Sequence, residues 1–166
     1  GRLVLVTGEA GIGKSALSEQ FADQLADARW SRGACDGLFT PRPLGPLFDI
    51  AEQRQGELLE LCRAHASRED LFDSLMREII QPGTLNVVVI EDAPWADEAT
   101  LDLLRFVARR IQHAPVRLIA TYRDDELATS YPLRVALGEL ATRGHTRRIE
   151  LAPLSANAVR ELARGT

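Results

Sequence analysis

Three short, mostly apolar runs divide the chain, at residues 3–7, 86–90 and 116–121. A nearly unbroken apolar run of this length is typical of a β-strand that is buried on both faces of a parallel sheet. The pattern also predicts a strand over 146–151 and a short extended segment over 32–35.

Between these runs, apolar residues recur at the spacing of a helix. The predicted helices cover 17–25, 47–61 with an interruption near Gly56, 69–80, 101–111, 133–140 and a last segment capped by Ser155. Strands that alternate with helices indicate an α/β fold with a parallel sheet and helices on both faces. In such sheets ligands bind at the carboxyl ends of the strands, so candidate chemistry is sought there.

The first strand runs into a glycine-rich loop that has the spacing Gly8-x4-Gly13-Lys14-Ser15. This is the P-loop pattern, in which successive backbone N–H groups surround the phosphates of a nucleotide. The following helix points its N-terminus at the same anion. We therefore predict that the chain binds ATP or ADP through Gly8, Glu9, Ala10, Gly11, Ile12, Gly13, Lys14, Ser15 and Ala16.

Lys14 is the only lysine among the 20 basic residues of the chain. A lysine ammonium is a compact point charge, whereas an arginine guanidinium is a planar fork. A phosphate enclosed by backbone amides accommodates the former and not the latter. Lys14 is accordingly predicted to reach the β- and γ-phosphates, and the Ser15 hydroxyl to bind Mg²⁺.

Two acids, Glu91 and Asp92, follow the strand at 86–90. An apolar strand that ends in acids is the Walker B pattern, where one carboxylate holds Mg²⁺ and its neighbour orients the attacking water. We assign Mg²⁺ to Glu91 and water polarisation to Asp92, with a shared role as the alternative. The simpler alternative is a polar loop that begins after a strand.

Arg123 follows the strand at 116–121. If that strand neighbours the first one, Arg123 lies close to the γ-phosphate and can stabilise its charge during transfer. The alternative is a surface ion cluster with Asp124, Asp125 or Glu126, which contributes little. The predicted catalytic residues are thus Asp92, Glu91 and Arg123, and the predicted metal ligands are Ser15 and Glu91.

Composition limits the class of protein. The chain has 166 residues and a formal net charge of −4, which indicates one globular domain and argues against a surface dominated by nucleic-acid binding. Cys35 and Cys62 show no metal spacing, and no apolar run is long enough for a membrane span or a signal peptide. We expect a cytoplasmic protein, and a chain that starts without methionine is expected to be a piece of a longer one.

Three segments together, 8–17, 87–101 and 121–127, resemble the STAND class of signalling ATPases. The resemblance is closest to the ATPase domain of the large LuxR-type bacterial transcriptional regulators, and it extends to Pro132-Leu133-Arg134, 40–46 and 151–155.

This resemblance implies a three-layer P-loop fold with five parallel strands in the order 5-1-4-3-2. It further implies a switch that binds and slowly hydrolyses ATP with Mg²⁺, self-association that depends on the nucleotide, and DNA binding through a C-terminal domain absent from this chain. Elements before the first strand and a helical lid after Thr166 normally hold the adenine, so this segment alone is expected to bind nucleotide weakly.

Other nucleotide-binding classes fit less well. A GTPase would need an Asn-Lys-x-Asp motif, an ABC-type ATPase would need a signature loop with paired glycines, and a small-molecule kinase fits the residues after Glu91-Asp92 less closely. The main rival is a module that binds ATP or ADP as a fixed ligand for protein interaction and hydrolyses nothing appreciable. Asp92 separates the two, since a pure binder does not need it.

Overall fold

The computed structural model describes residues 1–25, 27–37, 42–127, 131–142, 144–155 and 157–160. Its strands are β1 (Arg2–Thr7), β2 (Arg29–Ala34), β3 (Asn86–Glu91), β4 (Val116–Tyr122) and β5 (Thr146–Glu150). The strands predicted from the apolar runs are confirmed, and β2 begins three residues earlier than the predicted extended segment. Residues 38–41 lie outside the described residues, and they include the first two positions of the 40–46 segment that carries part of the family resemblance.

The helices also follow the predicted periodicity. They are α1 (Lys14–Gln24), α2 (Gly45–Arg54), α3 (Gly56–Arg63), α4 (Arg68–Ile79), α5 (Glu98–Arg110), α6 (Asp124–Leu127) and α7 (Tyr131–Ala141). The interruption between α2 and α3 is confirmed, because Gln55 and Gly56 both have positive φ angles, of 60° and 75°. Among the elements in the described residues, only α6 and a 3₁₀ turn at Ala93–Trp95 were not predicted, since elements this short show no periodic pattern.

All five strands are parallel and form one sheet in the order β2-β3-β4-β1-β5. The predicted order 5-1-4-3-2 is therefore confirmed. The P-loop strand β1 lies between β4 and β5, so the loops after β1 and β4 meet at one edge. The ends of these two strands pair as Thr7 with Tyr122, which places the residue after each strand side by side.

Helices cover both faces of the sheet, as predicted, but unequally. Connections between parallel strands are almost always right-handed, so connections that run in opposite directions across a sheet lie on opposite faces. The connection from β1 to β2 runs toward the β2 edge of the sheet. The connections from β2 to β3, from β3 to β4 and from β4 to β5 all run in the opposite direction, toward the β5 edge. As a result α1 lies on one face, and α2, α3, α4, α5 and α7 lie on the other.

The face with five helices, which we call the closed face, carries the larger hydrophobic core. Leu3, Leu5, Ile90 and Leu118 from the sheet pack there against the helices. The core residues supplied by the helices include Leu47, Ile50, Leu58, Leu75, Ile79, Leu104, Leu133 and Leu137. Most of the buried apolar surface that stabilises the fold is on this face.

The face that carries α1, which we call the open face, has a small core of Val6, Val87, Val89 and Ile119. The apolar side of α1 is only partly buried against this core. Leu17 and Phe21 remain 41% and 39% exposed, and the buried side chains of this helix are Lys14 and Ser18.

Helix caps fix where several helices begin. The Asp97 carboxylate accepts a hydrogen bond from the Thr100 N–H at 3.2 Å and caps α5. The same carboxylate accepts the buried Leu44 N–H at 3.3 Å, which ties the start of α2 to the start of α5. The predicted cap at Ser155 is confirmed by the Ala158 N–H at 3.2 Å, before the helical residues 157–160.

Among the helices that the structure describes, none combines the length and the apolar character needed to cross a bilayer.

Candidate active site

The loop between β1 and α1 turns sharply at its glycines. Gly13 has φ 103° and immediately precedes α1, a conformation that side chains with a Cβ rarely adopt. At Gly8 an added Cβ would lie 3.1 Å from the carbonyl oxygen of Leu151 and 3.0 Å from the Ile12 side chain. Gly13 is thus required by its backbone angle. Gly8, with φ 153°, is required both by its backbone angle and by the close approach of Leu151 and Ile12.

The N-terminus of α1 opens into this loop. Its first helical hydrogen bond runs from the Leu17 N–H to the Gly13 carbonyl at 2.8 Å, so the N–H groups of the three preceding residues have no partner within the helix. Gly13, the cap residue, has no side chain to accept them. Aligned donors at a helix N-terminus favour an anion such as a phosphate.

Lys14 is held within the same loop. Its side chain is only 9% exposed, and its Nζ donates hydrogen bonds to the carbonyl oxygens of Gly8 and Glu9, each at 2.9 Å. An ammonium has three N–H donors, and these two bonds fix its position at the loop. A buried cation beside a helix N-terminus makes the loop strongly favourable for negative charge.

A cleft of about 320 Å³ lies against the loop, and all of its lining residues were predicted as site residues. Besides the loop itself, three residues carry the predicted chemistry of metal binding and catalysis. They are Ser15, which begins α1 beside Lys14, and Asp92 and Arg123, which follow β3 and β4. Strand order explains this meeting, because β3 and β4 end at the same edge as β1. The cleft is lined by Ala10, Gly11, Gly13, Lys14, Ser15, Ala16, Asp92 and Arg123.

Asp92 is presented to this cleft by an unusual backbone. Its φ and ψ of 53° and 47° are left-handed, which is uncommon for a residue other than glycine and is found repeatedly at functional sites. Its N–H donates to the Thr121 hydroxyl oxygen at 3.1 Å, so β4 supports the turn. Thr121 was not recognised as a site residue, although its place as the penultimate residue of β4 could have indicated it.

Glu91 does not line this cleft, although it is adjacent to Asp92 in sequence. Its side chain is 15% exposed and lies on the open face, with Oε1 4.0 Å from Nη1 of Arg32. The same Arg32 nitrogen is 3.1 Å from Oε1 of Glu19 on α1. Arg32 is a contact that sequence reasoning missed, because an arginine in an edge strand carries no recognisable signal.

Arg123 lies between two clefts. It lines the one at Lys14 and also a second cleft, of about 670 Å³, which shares Ala10 and Arg123 with the first. Its Nη2 is 2.9 Å from Oδ2 of Asp125, so the guanidinium takes part in an ion pair at the mouth of the site. The second cleft is lined by Gly8, Glu9, Ala10, Arg123, Asp124, Asp125, Glu150, Leu151, Ala152 and Pro153.

The oxygen donors at the site determine whether it can hold Mg²⁺. Within the described part of the chain, no three His, Cys, Asp or Glu side chains come together as metal ligands. Mg²⁺ in nucleotide sites needs only one or two carboxylates, a hydroxyl and the phosphates. Ser15 and Asp92 line the cleft and supply a hydroxyl and one carboxylate of that set, whereas Glu91 lies outside it, with Oε1 buried and without a hydrogen bond from the described residues. The residues therefore fit a nucleotide-bound magnesium ion.

Comparison with known protein families agrees with this geometry. Residues 1–119, which contain the loop, the Glu91–Asp92 pair and most of β4, match the AAA ATPase domain family. The chain belongs to this family. It is thus a nucleotide-binding ATPase domain of the AAA class, and no curated protein matches it in sequence.

Solved structures show the same AAA fold. Cdc6p from Pyrobaculum aerophilum superposes with a TM-score of 0.61 at 15% identity, over 98% of this chain and 42% of that one. Orc1 from Aeropyrum pernix, solved in complex with DNA, gives 0.62 at 15% identity, over 99% and 43%. RuvB from Thermotoga maritima, a Holliday junction branch migration motor, gives 0.54 at 19% identity, over 98% and 42%. This AAA domain spans less than half of each of these chains.

Proposed function

We propose that this AAA domain is the ATP-binding, slowly hydrolysing switch of a signal-responsive bacterial transcriptional regulator of the STAND class. The observation that carries the nucleotide part is the convergence of Lys14, Ser15, Asp92 and Arg123 on one cleft at the N-terminus of α1. The regulator part rests on the resemblance of segments 8–17, 87–101 and 121–127 to the LuxR-type regulators.

The roles follow from where each group lies. The loop N–H groups and the Lys14 ammonium bind the β- and γ-phosphates. Asp92 orients and polarises a water molecule that attacks the γ-phosphorus, the bond from that phosphorus to the bridging oxygen breaks, and ADP and phosphate leave. Arg123 stabilises the negative charge of the transferring group.

Mg²⁺, held by Ser15 together with Glu91, would neutralise charge on the bound phosphates. Glu91 faces Arg32 across 4.0 Å, so this carboxylate already has a cation nearby. Its neighbour Asp92, on the cleft itself, offers the alternative ligand.

Slow turnover is favoured by the pairing of Arg123 with Asp125 at 2.9 Å. A guanidinium that is shared with a carboxylate stabilises a developing phosphate charge less well than one that is not. The same contact favours the second candidate function, a module that binds nucleotide for protein interaction without hydrolysis.

Nucleotide binding is tested with Lys14→Arg in the full-length protein. We expect ATP affinity to fall at least about tenfold, because the planar guanidinium cannot replace the ammonium at the Gly8 and Glu9 carbonyls. Calorimetric titration with ATP measures it, and Arg109→Lys, an exchange at an exposed site on α5, is the matched control. Unchanged ATP affinity in Lys14→Arg would contradict the phosphate site.

Hydrolysis is tested with Asp92→Asn. We expect turnover to fall about 100-fold while ATP affinity changes little, since a neutral amide no longer activates the water. Phosphate release measures turnover, and Asp73→Asn on α4 is the control. Equal, near-zero rates in the wild type and in Asp92→Asn would favour the module that only binds nucleotide.

The regulatory part needs a readout on the whole protein. Light scattering of the full-length protein with ATP or ADP is expected to show a larger assembly with ATP. Binding of the same samples to the promoter DNA of neighbouring genes is expected to follow that assembly. If the mass of the assembly and its affinity for DNA are the same with ATP and with ADP, the proposed regulatory switch is contradicted. The domain would then be an ATPase domain with another role.

A further inference from the structure

The strand β2 forms one of the two edges of the sheet. Along an edge strand, successive residues direct their backbone N–H and C=O groups alternately into the sheet and away from it. The Cys35 N–H, next to the end of β2, donates to the Glu91 carbonyl oxygen of β3 at 2.9 Å. The backbone groups of Arg32 and Ala34, an odd number of positions earlier, therefore point outward, away from β3.

Two side chains of α2 satisfy these outward groups. The Arg32 N–H donates to Oε1 of Gln53 at 2.9 Å, and Nε2 of Gln53 donates to the Arg32 carbonyl oxygen at 2.5 Å. The Ala34 N–H donates to Oδ2 of Asp49 at 3.1 Å. The Gln53 amide thus makes the same pair of hydrogen bonds that a residue of a neighbouring antiparallel strand would make. We call Asp49 and Gln53 the edge clamp.

The geometry of helix and strand explains why both contacts form together. The two clamp residues are four positions apart on α2, a distance of about 6 Å along the helix axis. Their two partners on β2 are two positions apart, which is about 6.6 Å along a strand. Between those partners lies Gly33, where an added Cβ would be 2.2 Å from the Pro46 carbonyl oxygen. The start of α2 can approach β2 this closely because position 33 is a glycine.

We propose that the edge clamp closes β2 to strand addition, and that the strand it excludes is β2 of a second copy of this chain. A sheet edge with free N–H and C=O groups is a template for another strand. The edges of two copies are identical, so they can pair as antiparallel strands about a twofold axis. This inference does not depend on the proposed nucleotide function.

Space and charge at the edge are compatible with such a pairing. A cleft of about 510 Å³ lies beside β2, and the edge clamp lines it together with Arg32, Ala34 and Glu52. Shortening the two clamp side chains therefore leaves the backbone of β2 facing this cleft. The Arg32 guanidinium is already 3.1 Å from Oε1 of Glu19, so two copies would not bring uncompensated cations together at this position.

The first test measures backbone protection in the full-length protein without nucleotide. In the double variant Asp49→Ala/Gln53→Ala, at the lowest usable concentration, we expect the Arg32 and Ala34 amides to exchange at least about tenfold faster than in the wild type. The Gly33 amide, which points into the sheet, should be unchanged and is the internal control. Hydrogen exchange at single-residue resolution by mass spectrometry measures all three.

The second test measures self-association of the same samples by light scattering. We expect the double variant to form a dimer with an association constant at least about tenfold larger than that of the wild type. As the dimer forms, the Arg32 and Ala34 amides should become protected again, because the second β2 takes the place of the edge clamp.

Matched controls separate the edge from a general change of surface charge. Glu52→Ala/Gln81→Ala also removes one carboxylate and one side-chain amide, from exposed sites that do not bond to β2, and should behave as the wild type. Asp49→Asn keeps an oxygen acceptor for the Ala34 N–H and should also remain closed. Gln53→Ala alone removes two of the three hydrogen bonds and keeps the test valid if the double variant does not fold.

Four outcomes would overturn the proposal. The first is unchanged exchange of the Arg32 and Ala34 amides in the double variant. The second is faster exchange without any increase in self-association. The third is equal association in the control pair, and the fourth is association that does not restore protection of these two amides, which would place the contact on another surface.

Discussion

The two faces of the sheet differ in how they are covered. The closed face is packed against five helices, and its core side chains are almost completely buried. Of the helices assigned to a face above, the open face carries only α1, and it keeps an apolar groove lined by arginines. Both faces use the same strands, so the contrast comes from the direction in which the connections cross the sheet.

The closed face supplies most of the packing that stabilises the fold, whereas the open face carries the helix that presents the phosphate loop. The helix that presents the phosphate loop, α1, belongs to the face with fewer packing contacts. Regions with less buried apolar surface open at lower free energy and are commonly those that move with ligands. The closed face instead holds the ends of β1, β3 and β4 in register, which is what brings Asp92 and Arg123 to Lys14.

The largest expected difference between the faces is in packing. Leu118→Ala removes a side chain that is 2% exposed on the closed face, and we expect unfolding free energy to fall by about 3 kcal/mol. Leu17→Ala, at a half-exposed site on the open face, should cost at most about 1 kcal/mol. Denaturant unfolding measures both. Equal losses would mean that α1 is packed as tightly as the other helices.

The next effect concerns the link between α2 and α5. Asp97→Ala removes the cap of α5 and leaves the Leu44 N–H without its acceptor, so we expect a loss of about 2 kcal/mol. Ser67→Ala removes only the cap of α4 and should cost about 1 kcal/mol. Thermal unfolding compares them. A smaller loss for Asp97→Ala than for Ser67→Ala would contradict a structural role for the Leu44 contact.

The smallest expected effect is on the reactivity of a buried cysteine thiol. Burial in the closed-face core raises the pKa of the Cys35 thiol from 9.0 to about 12, with Asp97 and Asp92 adding to the shift. The thiolate is the reactive form, so we expect iodoacetamide at pH 8.5 to modify Cys35 at least about tenfold more slowly in the folded chain than in urea. Peptide mass spectrometry after timed quenching gives both rates.

The raised pKa of Cys35 also determines how the stability of the fold changes with pH. The unfolded chain loses the Cys35 proton near pH 9 and the folded chain only near pH 12, so the folded state binds more protons between them. The contribution of this thiol to the free energy of unfolding is therefore fully present below pH 9 and is lost as the pH rises toward 12.

The labelling experiment also has an outcome that contradicts burial of the thiol. Rapid iodoacetamide labelling of Cys35 in the folded chain would show that this part of the closed face opens readily.

Much of the fold follows from local pattern. Apolar runs located β1, β3 and β4, and helical spacing located α1 to α5 and α7, because each element carries the periodicity of its own burial. The phosphate loop was also readable, since its glycines and Lys14 are adjacent in sequence and meet one anion. The strand order, by contrast, came from the resemblance to P-loop proteins, and the structure confirms it.

Tertiary structure decided what depends on residues far apart in the chain. Glu91 and Asp92 are neighbours in sequence, yet the left-handed turn at Asp92 places one beside Arg32 and the other at the cleft. The stripe of α1 predicts an amphipathic helix but cannot say whether anything covers it. Sequence periodicity reports which side chains avoid water, whereas only the path of the connections determines which surfaces they meet.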